Sequence, residues 1–361
     1  MSTFTESQLA PSPSRWKNLA PVAVLIFLSP VITELLVGTV HLSNLWLLVP
    51  EMGVYGFAAL MIREVVRRKG SGWGTILLLG IAFAIAEECV ILQTSLTPQF
   101  FPPDFEKSFG WANGVQWIYL LAITWFESVY AIVLTIYLTE MLFPSKRDSL
   151  WLSRRGLVIS GVILFLASIG VWQLWSRGGL PRFGPSTYHV PPLYIVAALA
   201  VIVVLVTVTL VFSRPTKHPQ KNTRRAPAPW LVGLLAFGFG LLWFIMIGLP
   251  YIPANSLQGV SPVAAMVIGL AWIGVGLAIV SYISNAAGWG DRHRLALIFG
   301  ASVASMVGGT LELLADAPVD IIGKFAIDLI AIGLFIWFTV RLHKRRFEVA
   351  QPETSPASVE K

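Results

Sequence analysis

Apolar runs of about 20 residues recur along this chain, at residues 19–40, 45–66, 73–95, 116–142, 156–175, 193–212, 229–249, 262–283, 295–315 and 321–341. Each is long enough to cross a hydrocarbon core roughly 30 Å thick. In such a core every backbone N–H and C=O must be satisfied within the protein. A run of this length then has one solution, a helix that bonds to itself. The sequence predicts an all-α polytopic transmembrane bundle of about ten spans. Only 12% of residues are charged and mean hydropathy is +0.72, against about 25% charged in soluble domains.

The basic residues set the orientation. Lys107, Arg177, Arg182 and Lys324 fall on one side of a ten-span chain, and the other 22 of the 26 Lys and Arg fall on the opposite side or at its helix ends. Retained positive charge marks the cytoplasmic face, so both termini are expected in the cytoplasm, with the chain in the cytoplasmic membrane. The net charge of +7 is spread over several inner segments and forms no stripe of the kind that binds nucleic acid. The lipid bilayer is the partner that the composition implies; no nucleic acid and no particular protein partner is indicated. The first run contains Glu34 and lacks a small-residue cleavage pattern, so it reads as a retained helix. One cysteine, Cys89, leaves no intrachain disulfide.

Segment composition divides the chain into a cytoplasmic N-terminal tail (1–18), a six-span part (19–212), a basic linker with several prolines (213–228), a four-span part (229–341) and a C-terminal tail (342–361). Spans five and six lack ionisable side chains and read as lipid-facing. Gly300, Ala304 and Gly308 repeat at one helical face of span nine, where small residues admit a close neighbour.

Acids within spans carry the functional signal. The stretch "AFAIAEECVILQTSL", residues 82–96, places Glu87 and Glu88 inside an apolar run, and Glu34, Glu51 and Glu127 occupy the other three of the first four spans. The topology puts all five at or outside the bilayer midplane, as plausible neighbours. An ionisable residue at a helix centre costs roughly 2.5–3.5 kcal/mol against lipid, so the five must face the bundle or a hydrated cavity. Neither Arg63 nor Lys324 is placed to neutralise them. Protons, or a bound cation held by Glu87, Glu88 and Glu127, would make up the deficit, and a divalent metal is the one cofactor such a set suggests. A purely structural hydrogen-bonded network is the other use of such acids.

Adjacent residues on a helix point about 100° apart, so Glu87 and Glu88 should find different partners. Gly80 and Ala84 form a small-residue track that invites another helix at their depth. Thr124, Ser128 and Thr135 make a polar stripe beside Glu127, with hydroxyls in position to reach an acid. Glu64 and Glu140, at inner helix ends near Arg63, Arg67, Lys146 and Arg147, read as ion pairs. Glu312, Asp316, Asp320, Lys324 and Asp328 form a second polar cluster at the outer ends of spans nine and ten, with Lys324 spaced to pair with Asp320 or Asp328.

The Glu87-Glu88 pair followed by a polar helix resembles the EExxxR signature of the Abi (CPBP) family of intramembrane proteases, which includes CAAX-processing enzymes. Leu92 stands at the motif's Arg position, and no histidine follows Phe126 at the family's spacing. That resemblance implies a metal-dependent hydrolase. Over residues 20–145, "IAEECVILQTSLTP" and "WFESVYAIVLTIYLTEMLFP" also look like a group of uncharacterised bacterial and archaeal multi-pass proteins, which implies no activity. Three functions are therefore expected to compete: proton- or cation-linked transport, a non-catalytic scaffold or partner-binding protein with a degenerate site, and an Abi-like hydrolase.

Overall fold

The computed structural model describes residues 15–97, 109–179, 189–215, 222–248, 260–313 and 318–350. The N-terminal tail, most of the long aromatic loop after the third span, and the last eleven residues lie outside them. Among the described residues ten helical units follow one another: α1 (Arg15–Pro30, continued by a π-helical turn over Val31–Leu35), α2 (Leu42–Lys69), α3 (Trp73–Ile91), α4 (Trp117–Leu142), α5 (Arg154–Gly178), α6 (Pro192–Phe212), α7 (Pro229–Gly248), α8 (Pro262–Ser284), α9 (Asp291–Leu313) and α10 (Pro318–Ala350). Eight are long and apolar enough to span a membrane. The two that fall short are α1, whose apolar part is Leu19–Leu35, and α9, which opens on Asp291, Arg292, His293 and Arg294. The protein is a polytopic helical membrane protein.

One boundary moves. Helix α10 continues to Ala350, into the segment from 342 that composition assigns to the tail, because Lys, Arg, Glu and Ala after Leu342 sustain a helix well. Sheet is confined to scraps. Trp111–Ala112 pairs with Val115–Gln116 across Asn113 and Gly114, both at positive φ, the Asn-Gly turn whose twist suits a two-residue hairpin. Asn222–Arg225 of the linker pairs in parallel with Ala286–Ala287.

Helices α1 to α4 make the centre. Leu25, Ala59, Leu60, Val66, Ile76, Ile132 and Ile136 are buried in one continuous core there, while almost no residue in the apolar windows of α5, α6 and α8 is buried, as expected for lipid-facing helices. The small face of α9 packs on α7: a side chain at Gly300 would strike the Gly233 carbonyl, and Gly240 lies against Ala304. The two halves meet where the Tyr130 hydroxyl donates to Ala301 O at 3.0 Å and Phe126 packs edge-on against Phe244 at 5.9 Å.

At the Lys/Arg-rich inner end, α2 and α4 are joined by a buried ionic knot. The Arg63 guanidinium, fully buried, donates to Glu64 at 2.6 Å, to Glu140 at 3.1 Å and to the Arg147 carbonyl at 2.7 Å, and lies 3.6 Å from the centre of the Trp151 ring. Arg67 donates to both oxygens of Glu140, and the backbone N–H groups of Trp151 and Leu152 donate to Glu64 at 2.9 and 3.3 Å. The expected pairing of Glu64 and Glu140 holds, with both acids fully buried.

Candidate functional site

All four central helices depart from α-geometry at one place. π-helical turns occupy Val31–Leu35, Met52–Gly56, Glu87–Ile91 and Ser128–Leu134. Leu36 N and Leu92 N reach back five residues, to Val31 O at 2.9 Å and to Glu87 O at 2.8 Å. Such turns insert one extra residue and are frequent at functional positions; a fifth, Trp175–Gly179 at the end of α5, carries no acid. Each sequence-predicted acid is tied to one of them: Glu34 lies in the first, Glu51 directly precedes the second, Glu87 and Glu88 open the third, and Glu127 directly precedes the fourth.

Close helix approach brings these turns together. A Cβ on Gly56 would collide with the backbone of Ile26, and one on Gly80 would sit 3.2 Å from Ser128 O. The second contact is the neighbour that the Gly80 and Ala84 track invites, and it is α4, the helix that carries Glu127.

Tyr55 stands at the centre. Its hydroxyl lies 3.1 Å from Glu87 Oε1 and 3.0 Å from Glu127 Oε1, interacts with Glu34, and its ring packs edge-on against Phe83 at 5.7 Å. A phenol has one proton to give. It can donate to one of the two carboxyl groups; the other is matched only when that group carries a proton itself or when a cation sits among them.

Glu88 turns to a different set of partners, as the 100° offset predicts. Thr94 Oγ1 and Ser95 Oγ, the latter at 3.2 Å, donate to its Oε2, and the Tyr119 hydroxyl donates to Oε1 at 3.4 Å. Thr94 and Ser95 reach back because Gln93 adopts a left-handed conformation, φ 62°, that ends the helix, at a cost of about 1–2 kcal/mol for a residue with a Cβ.

Glu87, Glu88 and Glu127 are 2%, 2% and 1% exposed, and one oxygen from each lies within 4.8 Å of the others. The three residues expected to hold a cation are thus brought together, and their all-oxygen donor set suits hard cations. Glu34 and Glu51 are only partly buried, with Glu34 Oε2 accepting from Thr39, and they border the cluster on its outer side. Glu51 Oε2, Glu87 Oε2 and Glu127 Oε2 are buried without a hydrogen-bond partner. Among the described residues no ion pair reaches any of the five acids, while Arg63 and Arg67 are committed to the inner knot.

The second polar cluster is partly assembled. Lys324, 3% exposed, pairs with Asp328 and donates to Met306 O at 3.2 Å. Asp320 instead accepts from Ser43 N and Ser43 Oγ, both at 3.0 Å, with His41 Nδ1 at 3.8 Å. Asp316 and the side chain of Glu312 lie outside the described residues.

One expectation is corrected. The hydroxyls of Ser128 and Thr135 do not serve the acids. They donate to carbonyls of their own helix, Ser128 to Thr124 O and Thr135 to Ala131 O and Ile132 O, and Thr124 Oγ1 has no hydrogen-bond partner, because within a helix a short hydroxyl finds the carbonyl four residues back before it finds another helix. The hydroxyls that do reach the acids are Tyr55, Tyr119, Thr94, Ser95 and Thr39. Thr94 and Ser95 follow Glu88 by six and seven residues, within reach only because the helix ends between them; Tyr55 is an unremarkable aromatic in an apolar run.

Comparison with known protein families, with curated proteins and with solved structures finds no match.

Proposed function

We propose that this membrane protein is a proton- or cation-linked transporter of the cytoplasmic membrane, with Glu87, Glu88 and Glu127 as the binding centre and Glu34 and Glu51 as its approach. The observation that carries the reading is the charge deficit. Glu87 and Glu127 meet at Tyr55 with Glu88, Glu34 and Glu51 beside them, three buried oxygens of the group lack a partner, and the nearby arginines are spent elsewhere. A buried group left unmatched costs about 1–3 kcal/mol, more when charged. A proton or metal ion that arrives and leaves would relieve that cost reversibly, which is what a transport site requires. The partly exposed Glu51 and Glu34 offer a stepwise path from the outer side, along which the ion exchanges one carboxylate for the next.

The test is flux in proteoliposomes loaded with a pH- or cation-sensitive dye. Wild-type protein should carry protons, or a cation that competes with them, and Glu87→Gln/Glu127→Gln should abolish the flux while the thermal unfolding midpoint stays near the wild-type value. Wild-type protein that carries neither protons nor mono- or divalent cations under an imposed gradient would overturn the reading.

A second reading rests on the 4.8 Å grouping of three carboxylates: a resident divalent metal, and with it a hydrolase of the kind that the Abi resemblance implies. Metal analysis decides between them. About one ion per chain that survives purification and disappears in Glu87→Gln/Glu88→Gln would favour the hydrolase; the carboxylate group includes no histidine, which disfavours zinc.

A further inference from the structure

From its contact with α10 we infer that the short 3-10 stretch Leu42–Leu47 is an outer strap that controls access to the carboxylate centre, and that Asp320 is its latch. The inference rests on the transport reading, since it names the regulation of that same site.

The strap joins the two elements that carry the approach residues. Glu34 lies just before it, in the π turn that ends α1, and Glu51 lies just after it, at the start of the π turn in α2. Its own structure is weak. A 3-10 helix has poor hydrogen-bond geometry and is rarely sustained beyond three or four residues; this one has six, with Asn44 off the helical region at φ −131°. Leu42, Leu45 and Trp46 are exposed, and no residue of the strap is buried. Its local tie is the cap in which His41 N donates to Asn44 Oδ1 at 2.6 Å.

The tertiary hold comes from α10. Asp320 uses both carboxylate oxygens on one strap residue, accepting from the Ser43 amide and the Ser43 hydroxyl. Gly323, one turn further along, lets Leu42 lie against the helix, where a Cβ would come within 2.8 Å of Leu42 Cβ. Below this contact Lys324 pins α10 to α9 through Met306 O, with Asp328 of its own helix as counter-charge, so the latch is mounted on a fixed post while the strap has little structure of its own. The exposure gradient agrees with a route beneath it, since Glu34 and Glu51 are partly exposed and the three inner glutamates are buried. Released from Asp320, the strap would let the outer ends of α1 and α2 part and admit water to Glu51 and Glu34.

The test reads access directly. Purified protein is treated with a membrane-permeant carbodiimide, and modification of each glutamate is followed by mass spectrometry. Asp320→Ala, which removes both bonds to Ser43, should raise the labelling rate of Glu34 and Glu51 by at least about tenfold, the population shift that loss of a single charge-assisted hydrogen bond already produces. Ser43→Ala, which keeps the amide bond, should give a smaller rise, and Asp320→Asn, which retains an acceptor for the amide and gains a donor for the hydroxyl, should restore the wild-type rate. Glu64 and Glu140 serve as internal controls and should not change. If Asp320→Ala does not fold, Ser43→Ala, at an exposed position, carries the test. Wild-type rates in both alanine variants, or a parallel rise at Glu64 and Glu140, would overturn the latch. Enhanced labelling with no flux in any form would leave the latch and remove the transport reading; flux with unchanged labelling would do the reverse.

Discussion

Helix α2 carries two buried polar centres about three turns apart, and they are built on opposite terms. At its inner end Arg63, Glu64, Arg67 and Arg68 meet Glu140 in a knot in which every carboxylate oxygen accepts from a guanidinium or a backbone amide. Toward its outer end Glu51 and Tyr55 meet Glu34, Glu87, Glu88 and Glu127, with no cationic side chain paired and three carboxylate oxygens unmatched. Both centres hold buried acids against an apolar surrounding, so burial alone does not separate a structural acid from a working one. Neutralisation does. The inner acids are supplied with their counter-charges by the chain itself, whereas among the described residues no cationic side chain pairs with the outer ones.

The sharpest way to break this contrast is to remove its inner side. Arg63→Leu leaves Glu64 and Glu140 short of a partner and should cost about 3–5 kcal/mol, the penalty for breaking one side of a buried ion pair, read as loss of folded protein in detergent and on thermal unfolding. The outer centre should respond in the opposite sense: Glu127→Gln gives the unmatched oxygen's position an amide donor and removes a charge, so stability should change by less than about 1 kcal/mol or rise. If Glu127→Gln proves as damaging as Arg63→Leu, the outer acids are structural and the contrast fails. Between these lies Tyr55→Phe, which deletes the hydroxyl shared by Glu87 and Glu127 and should cost about 1–2 kcal/mol while altering the pH dependence of flux.

The smallest effect tests a third polar site outside the membrane. His293 Nε2 donates to Pro227 O, 2.9 Å away, Nδ1 accepts from Gly290 N at 3.3 Å, and the ring stacks on Trp289. Burial pushes its imidazole below the ordinary value, with Arg292 adding to the shift and the Pro227 carbonyl opposing it. A base held below its unfolded value binds fewer protons when folded, so stability should fall as pH drops through about 6.5 toward the lowered value. His293→Phe should flatten that slope in thermal unfolding, without changing the Glu127→Gln comparison.

How much of this was written in the sequence depends on the kind of interaction. Spans, the buried acids, the Gly80 contact and the Glu64 and Glu140 pairings follow from hydrophobic length, charge cost and helical spacing, all local properties. Tyr55 was not legible, because a tyrosine in an apolar run looks the same whether it meets lipid or a pair of carboxylates. The π turns were hidden too, since a pattern read at 3.6 residues per turn does not reveal a single extra residue. The Asp320 contact with Ser43 joins positions 277 apart, and neither residue's surroundings in the chain announce the other. The span-four hydroxyls misled for a physical reason, as their own helix captured them first.

The four π turns have one more consequence. Each stores a residue of slack at the same height in the bundle, and drawing that slack back into ordinary α-geometry would turn the helix beyond it by roughly 100°. Below that height the ionic knot binds α2 to α4 as a rigid base. Above it the same four rods are, in mechanical terms, jointed, with a glutamate in or directly before each joint.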